Sequence, residues 1–69
     1  MHYRIEFLTE STDPNSVCFM LDAMALNLDA AQIFAENRAA QAVRDHNAQG
    51  YQIRNESGGI VALEDFAGW

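Results

Sequence analysis

Asp13-Pro14-Asn15-Ser16-Val17-Cys18-Phe19-Met20-Leu21-Asp22-Ala23-Met24-Ala25-Leu26 is the stretch that decides the fold. Proline pre-sets the backbone angle for the second position of a type I turn, and Asp and Asn side chains bond the nearby backbone, so Asp13 to Ser16 suit such a turn. The same Asp-Pro pair also suits a helix start, with Asp13 as N-cap and Pro14 at the first helical position. In a strand, Val17, Phe19 and Leu21 point one way, and Cys18, Met20 and Asp22 the other. In a helix, Val17, Leu21, Met24 and Leu28 form a stripe at spacings of three and four. The β-branched and aromatic residues at 17–19 favour the strand, whereas Leu21 to Leu26 holds good helix formers. We read a strand here, with the helix as the open alternative over 14–26.

The flanking segments are less ambiguous. Tyr3, Ile5 and Phe7 alternate with His2, Arg4 and Glu6, which predicts a first strand over residues 2–9 with one buried and one solvated face. Asn27 is a good N-cap and Asp29 complements the positive end of a helix that runs from Leu28 to about Asn47 and stops before Gly50. At 100° per residue, Leu28, Ala31, Ala35, Ala39, Ala42 and His46 share one face, with Phe34 at its edge. Small alanines let a helix approach a sheet closely. Ile33, Ala40 and Val43 form a second apolar strip on the opposite side, more than a solvated helix needs. Tyr51 and Ile53 alternate with Gln52 and Arg54, Glu56 to Gly59 supply a turn, and Ile60 to Leu63 return as a strand. Phe66 and Trp69 follow on a segment too short to form another element. The expected architecture is α+β: a small antiparallel sheet in the order β-β-α-β-β, with one Ala-rich helix packed on one face, and residues 1–69 forming a single domain.

So small a chain has little core; below about 70–80 residues the net stability from one apolar core rarely exceeds about 3–5 kcal/mol. Oligomerisation or docking is the expected supplement, because Cys18 is the only cysteine and has no partner for a disulfide. Cys18, His2 and His46 never fall at zinc-ligand spacings, so no metal is expected. The charged residues near the start do not suit a signal peptide, and the longest apolar run, Val17 to Leu21, is far below the about 20 residues of a membrane span. A cytoplasmic protein with no membrane partner is expected. Asn55-Glu56-Ser57 fits a glycosylation pattern, but without a secretory signal it carries no weight.

No catalytic or cofactor motif stands out. His46 near the helix end has no evident oriented partner for general-base work, and we read it as structural rather than as the base of a small enzyme. His2 lies on the outer face of the first strand. Cys18 sits in an apolar run with no basic neighbour to lower its pKa, so it reads as a packed thiol. Gly58-Gly59 precedes a strand, not a helix, and therefore reads as a turn instead of a phosphate loop.

Charge is the firmest clue. Ten acids face four arginines, with no lysine, for a net charge of -6. Such a chain repels a phosphate backbone, so direct nucleic-acid binding is disfavoured and a basic protein partner is favoured. Glu6 and Glu56 are expected to answer Arg4 and Arg54 across strands, Asp13 to serve the turn and Asp29 the helix start. That leaves Glu10, Asp22, Glu36, Asp45, Glu64 and Asp65 as candidate partner-binding residues. Ile33 and Val43, with Phe66 and Trp69, are the candidate self-interface.

Two strands, a helix opened by Asn27-Leu28-Asp29-Ala30-Ala31, then Gly50-Tyr51-Gln52-Ile53-Arg54 and a Gly58-Gly59 hairpin resemble the small β-β-α-β-β proteins of phages and mobile elements, some anti-CRISPR inhibitors among them. The resemblance covers residues 2–64 as a layout of elements. It implies a non-enzymatic protein that occupies a surface of an effector complex, with no catalytic residues and no cofactor. The alternative is a small homo-oligomeric structural or adaptor protein, a homodimer for instance, joined through the outer helix strip.

Overall fold

Val17–Met24 forms a strand (β2), paired antiparallel with His2–Leu8 (β1), in a computed structural model that describes residues 1–69. Pairing settles what local propensity leaves open. It sets Ala23, Leu21 and Phe19 opposite Tyr3, Ile5 and Phe7, so the alternating apolar residues of both strands share one face. The Asp13–Ser16 turn closes as expected: the Ser16 amide donates to the Asp13 carbonyl at 3.1 Å, and the Asn15 amide to Asp13 Oδ1 at 2.9 Å.

Strict alternation fails at one point. The register shifts between Phe7 and Leu8, so Phe19 faces Phe7 but Val17 faces Leu8, leaving Cys18 as the extra residue of a bulge. Val17 therefore leaves the face it was expected to share with Phe19, and Cys18 packs against the core instead. The Cys18 thiol donates to the Phe7 carbonyl at 3.5 Å, and burial pushes its pKa up. That is the setting of a packed thiol, not of a nucleophile.

Helix α1 spans Leu28–His46. Asn27 caps it by accepting from the Ala30 amide at 2.9 Å, and Asp29 lies in the first turn. The helix ends where expected, but a different residue stops it. Asn47, not Gly50, terminates the helix by adopting the left-handed conformation (φ 59°), which Asn tolerates better than most residues. Gly50 instead opens the next strand, where a Cβ would lie 2.9 Å from Ser11 Cβ and collide with the Glu64 carbonyl. Ala31, Ala35, Ala39 and Ala42 are the buried face of α1, with Leu28 and Phe34 packed beside them. His46 continues that face, its ring stacked on Phe19 at 4.4 Å between centroids.

Gly50–Arg54 (β3) and Ile60–Asp65 (β4) complete an antiparallel sheet in the order β2-β1-β3-β4. Asn55 builds the connecting turn: its side-chain oxygen accepts from the Ser57 and Gly59 amides, while Gly58 takes a positive φ of 87°. The central strands carry the core. Ile5, Phe7, Tyr51 and Ile53 are fully buried, each contributing about 1.5–3 kcal/mol by the usual scale for apolar burial. Because α1 packs over β2, β1 and β3, the edge strand β4 is left largely uncovered, with Ile60, Val61 and Leu63 exposed.

The far face of the sheet has no helix, yet part of it is dry. Glu6 is 6% and Gln52 1% exposed, contrary to the solvated register expected for both. The cause is the 9–16 loop. Gln52 Nε2 donates to the Pro14 carbonyl at 3.2 Å and to Glu6 Oε1 at 2.6 Å, so the loop folds down over the middle of that face. The closing segment, Phe66–Gly68, is a 3₁₀ turn capped by Asp65, whose side chain accepts from the Ala67 amide at 2.9 Å.

Candidate functional site

Strand register sorts the charged residues to the two ends of the sheet. At the end where β1 begins and β3 finishes, Arg4 stands directly opposite Arg54, a like-charge pair that needs compensation. Arg54 Nε donates to Glu6 Oε1 at 2.8 Å and its Nη1 to the Gly58 carbonyl at 2.8 Å. Arg4 turns the other way, to Asp22 at 3.7 Å, and His2 Nε2 lies 3.4 Å from the same carboxylate. Glu56 accepts the His2 backbone amide at 3.2 Å. These groups line a polar hollow of about 150 Å³ formed by His2, Arg4, Arg54, Asn55, Glu56 and Gly58. The expected Arg4–Glu partnership is thus replaced by Arg4–Asp22, and Asp22 is not a free acid.

At the opposite end, β1 finishes at Leu8, across from Gly50, which in turn faces Asp65. The 9–16 loop leaves from here, carrying Glu10 and Asp13, and β4 brings in Glu64 and Asp65. None of these four carboxylates makes an ion pair. Asp13 and Asp65 are held only by backbone amides, in the turn and at the 3₁₀ cap. Arg44, near the helix end, is engaged by its neighbour Asp45 at 3.1 Å. The fourth arginine, Arg38, lies over the Phe34 ring at 4.8 Å. Every arginine therefore has a partner within the fold, while Glu10, Asp13, Asp29, Glu36, Glu56, Glu64 and Asp65 have no cationic one.

Beside the acidic end runs an apolar groove of about 460 Å³ between α1 and the 3₁₀ turn. Ala39, Ala40 and Val43 form one wall, Phe66 and Trp69 the other, and Glu36 and Arg44 add charge. Phe66 packs on Tyr51 at 6.0 Å and carries Trp69 edge-on at 4.7 Å, leaving Trp69 60% exposed. Tyr51 is itself fully buried, and its hydroxyl finds no partner in the protein. Burial, reinforced by the nearby carboxylates of Glu36 and Glu64, pushes its pKa up to about 12.

The structure brings some expected residues together and separates others. Glu64 and Asp65 lie at the end of the sheet where β1 passes into the loop that carries Glu10, and Val43, Phe66 and Trp69 meet around the adjacent groove, with Glu36 joining them. Asp22 belongs to the opposite end, Asp45 is engaged by Arg44, and Ile33 lies on the outer helix strip beyond the groove, 59% exposed. Asp13, expected only to serve the turn, is held beside Glu10 because its backbone amide donates to the Glu10 carbonyl at 3.0 Å. Tyr51 is buried beside Ile53, as the alternation predicts, whereas the burial of Gln52 depends on the distant 9–16 loop, for which the local sequence holds no signal. Nowhere do three or more His, Cys, Asp or Glu side chains converge as metal ligands, and no helix is long and apolar enough to cross a membrane. No family model, curated protein or solved structure matches the chain.

Proposed function

We propose that this is a non-enzymatic acidic binding protein of the anti-CRISPR kind, acting in the cytoplasm by occupying a basic nucleic-acid-binding surface of an effector complex. One observation carries the reading: three of the four arginines already pair with carboxylates of the chain and the fourth lies over Phe34, whereas Glu10, Asp13, Glu64 and Asp65 collect at one end of the sheet without a cation. A surface with more acids than its arginines can pair presents carboxylate oxygens where a basic groove otherwise meets phosphates. Arg and Lys groups on the partner would bind them by charge-assisted hydrogen bonds.

The experiment is competition. A CRISPR effector complex is given labelled target DNA and increasing amounts of the protein, at low and at high ionic strength. The reading expects DNA to be displaced at low salt and displacement to weaken steeply as salt rises, because exposed charges are screened beyond about 8–10 Å near physiological ionic strength. Undisturbed DNA binding, or displacement indifferent to salt, contradicts it. The labelled DNA alone should show no complex with the protein.

A further inference from the structure

The groove between α1 and the 3₁₀ turn carries an acid and a base on the same helix. Glu36 and Arg44 both line it, and its apolar part comes from Ala40, Val43, Phe66 and Trp69. Eight residues of helix separate the two charges, about 12 Å along the axis, with Ala40 midway. This pattern is complementary to itself when reversed. A second copy placed antiparallel, with the two-fold axis at Ala40, sets Glu36 against Arg44 of the other chain and Arg44 against its Glu36. That reciprocity is the rule of an isologous interface.

We infer that this groove is the interface of a two-fold homodimer, centred on Ala40 and oriented by the reciprocal Glu36–Arg44 pairs. Ala40 has no bulk to hold two helices apart. Val43 and Trp69, both substantially exposed in the single chain, become the apolar anchors, and Ile33 extends the strip toward the start of α1. The charges contribute direction more than affinity, because exposed ion pairs are individually weak and Arg44 already touches Asp45. Dimerisation also supplies the stability that a core of this size lacks. None of this depends on the acidic end binding a basic partner, and the Glu10 and Asp13 loop stays outside the proposed contact.

Sedimentation equilibrium of the full chain at micromolar concentrations tests it, with circular dichroism confirming that each variant keeps its helix. The wild-type chain should sediment as a dimer. Trp69, the only tryptophan, should show a concentration-dependent blue shift as it is covered. Glu36→Arg and Arg44→Glu each turn two attractions into two repulsions, so each should weaken the dimer about tenfold. The double variant E36R/R44E restores both pairs with the signs exchanged and should recover most of that loss. A wild-type chain that stays monomeric throughout, or a double variant that dimerises no better than the weaker single, overturns the inference.

Discussion

Where β1 begins and β3 finishes, Glu6 and Asp22 each lie against an arginine; where β1 finishes and β4 runs into the 3₁₀ turn, Glu10, Asp13, Glu64 and Asp65 have no cation at all. The same side-chain chemistry thus does two jobs. At the first end carboxylates neutralise two arginines that the sheet forces side by side, and one of them, Glu6, is buried under the 9–16 loop. At the second end the carboxylates are free to meet something outside the chain. Composition alone does not distinguish these groups, since only strand register decides which acid faces which arginine.

The two ends differ most in what holds Arg54. Replacing it with alanine leaves the Glu6 carboxylate buried without its cation, retaining only the Gln52 amide. Arg54→Ala should therefore destabilise the fold by about 3 kcal/mol in urea unfolding. No acid at the opposite end has comparable structural weight.

Next in size is an alkaline effect. Tyr51 titrates at about 12 in the fold against an ordinary 10.0, because its neutral form is favoured by burial and by Glu36 and Glu64. The stability so gained is complete below pH 10 and is lost as pH rises through 12, amounting to about 2–3 kcal/mol. Urea midpoints measured across that range should fall accordingly. Tyr51→Phe should remove this slope and, by deleting a buried hydroxyl with no protein partner, should add up to about 1 kcal/mol at neutral pH.

The smallest stability effect belongs to the acidic end itself. Glu10→Gln, Glu64→Gln and Asp65→Asn, measured singly in urea unfolding, should each change the unfolding free energy by no more than about 0.5 kcal/mol, since amides keep the shape and Asn still caps the 3₁₀ turn.

Much of the fold was legible from the chain. The period of two at Tyr3, Ile5 and Phe7, the Asn27 cap and the alanine face of α1 all rest on local chemistry, and each stands in the structure. The segment over 17–24 was undecided locally, because its helix formers and strand formers nearly balance; pairing with β1 supplies the missing term. The Cys18 bulge arises from register and the dry outer face from a loop folding over distant residues, while the Asn47 helix stop is a local left-handed cap that competes with Gly50 for the same role. For the candidate site, the acids were legible as a set but their partners were not. Arg4 was expected to meet a glutamate and meets Asp22 instead. Cross-strand neighbours cannot be read until the register is known.

In the proposed function the unpaired acids at the β4 end, and not acidity in general, engage a basic surface. The most direct measurement is DNA competition on an effector complex with two variants of equal net charge. One neutralises Glu10, Glu64 and Asp65; the other neutralises Asp22, Asp29 and Glu56. The first should lose displacement by about tenfold or more while the second stays close to wild type. Equal losses from both variants, or a larger loss from the second, would contradict it.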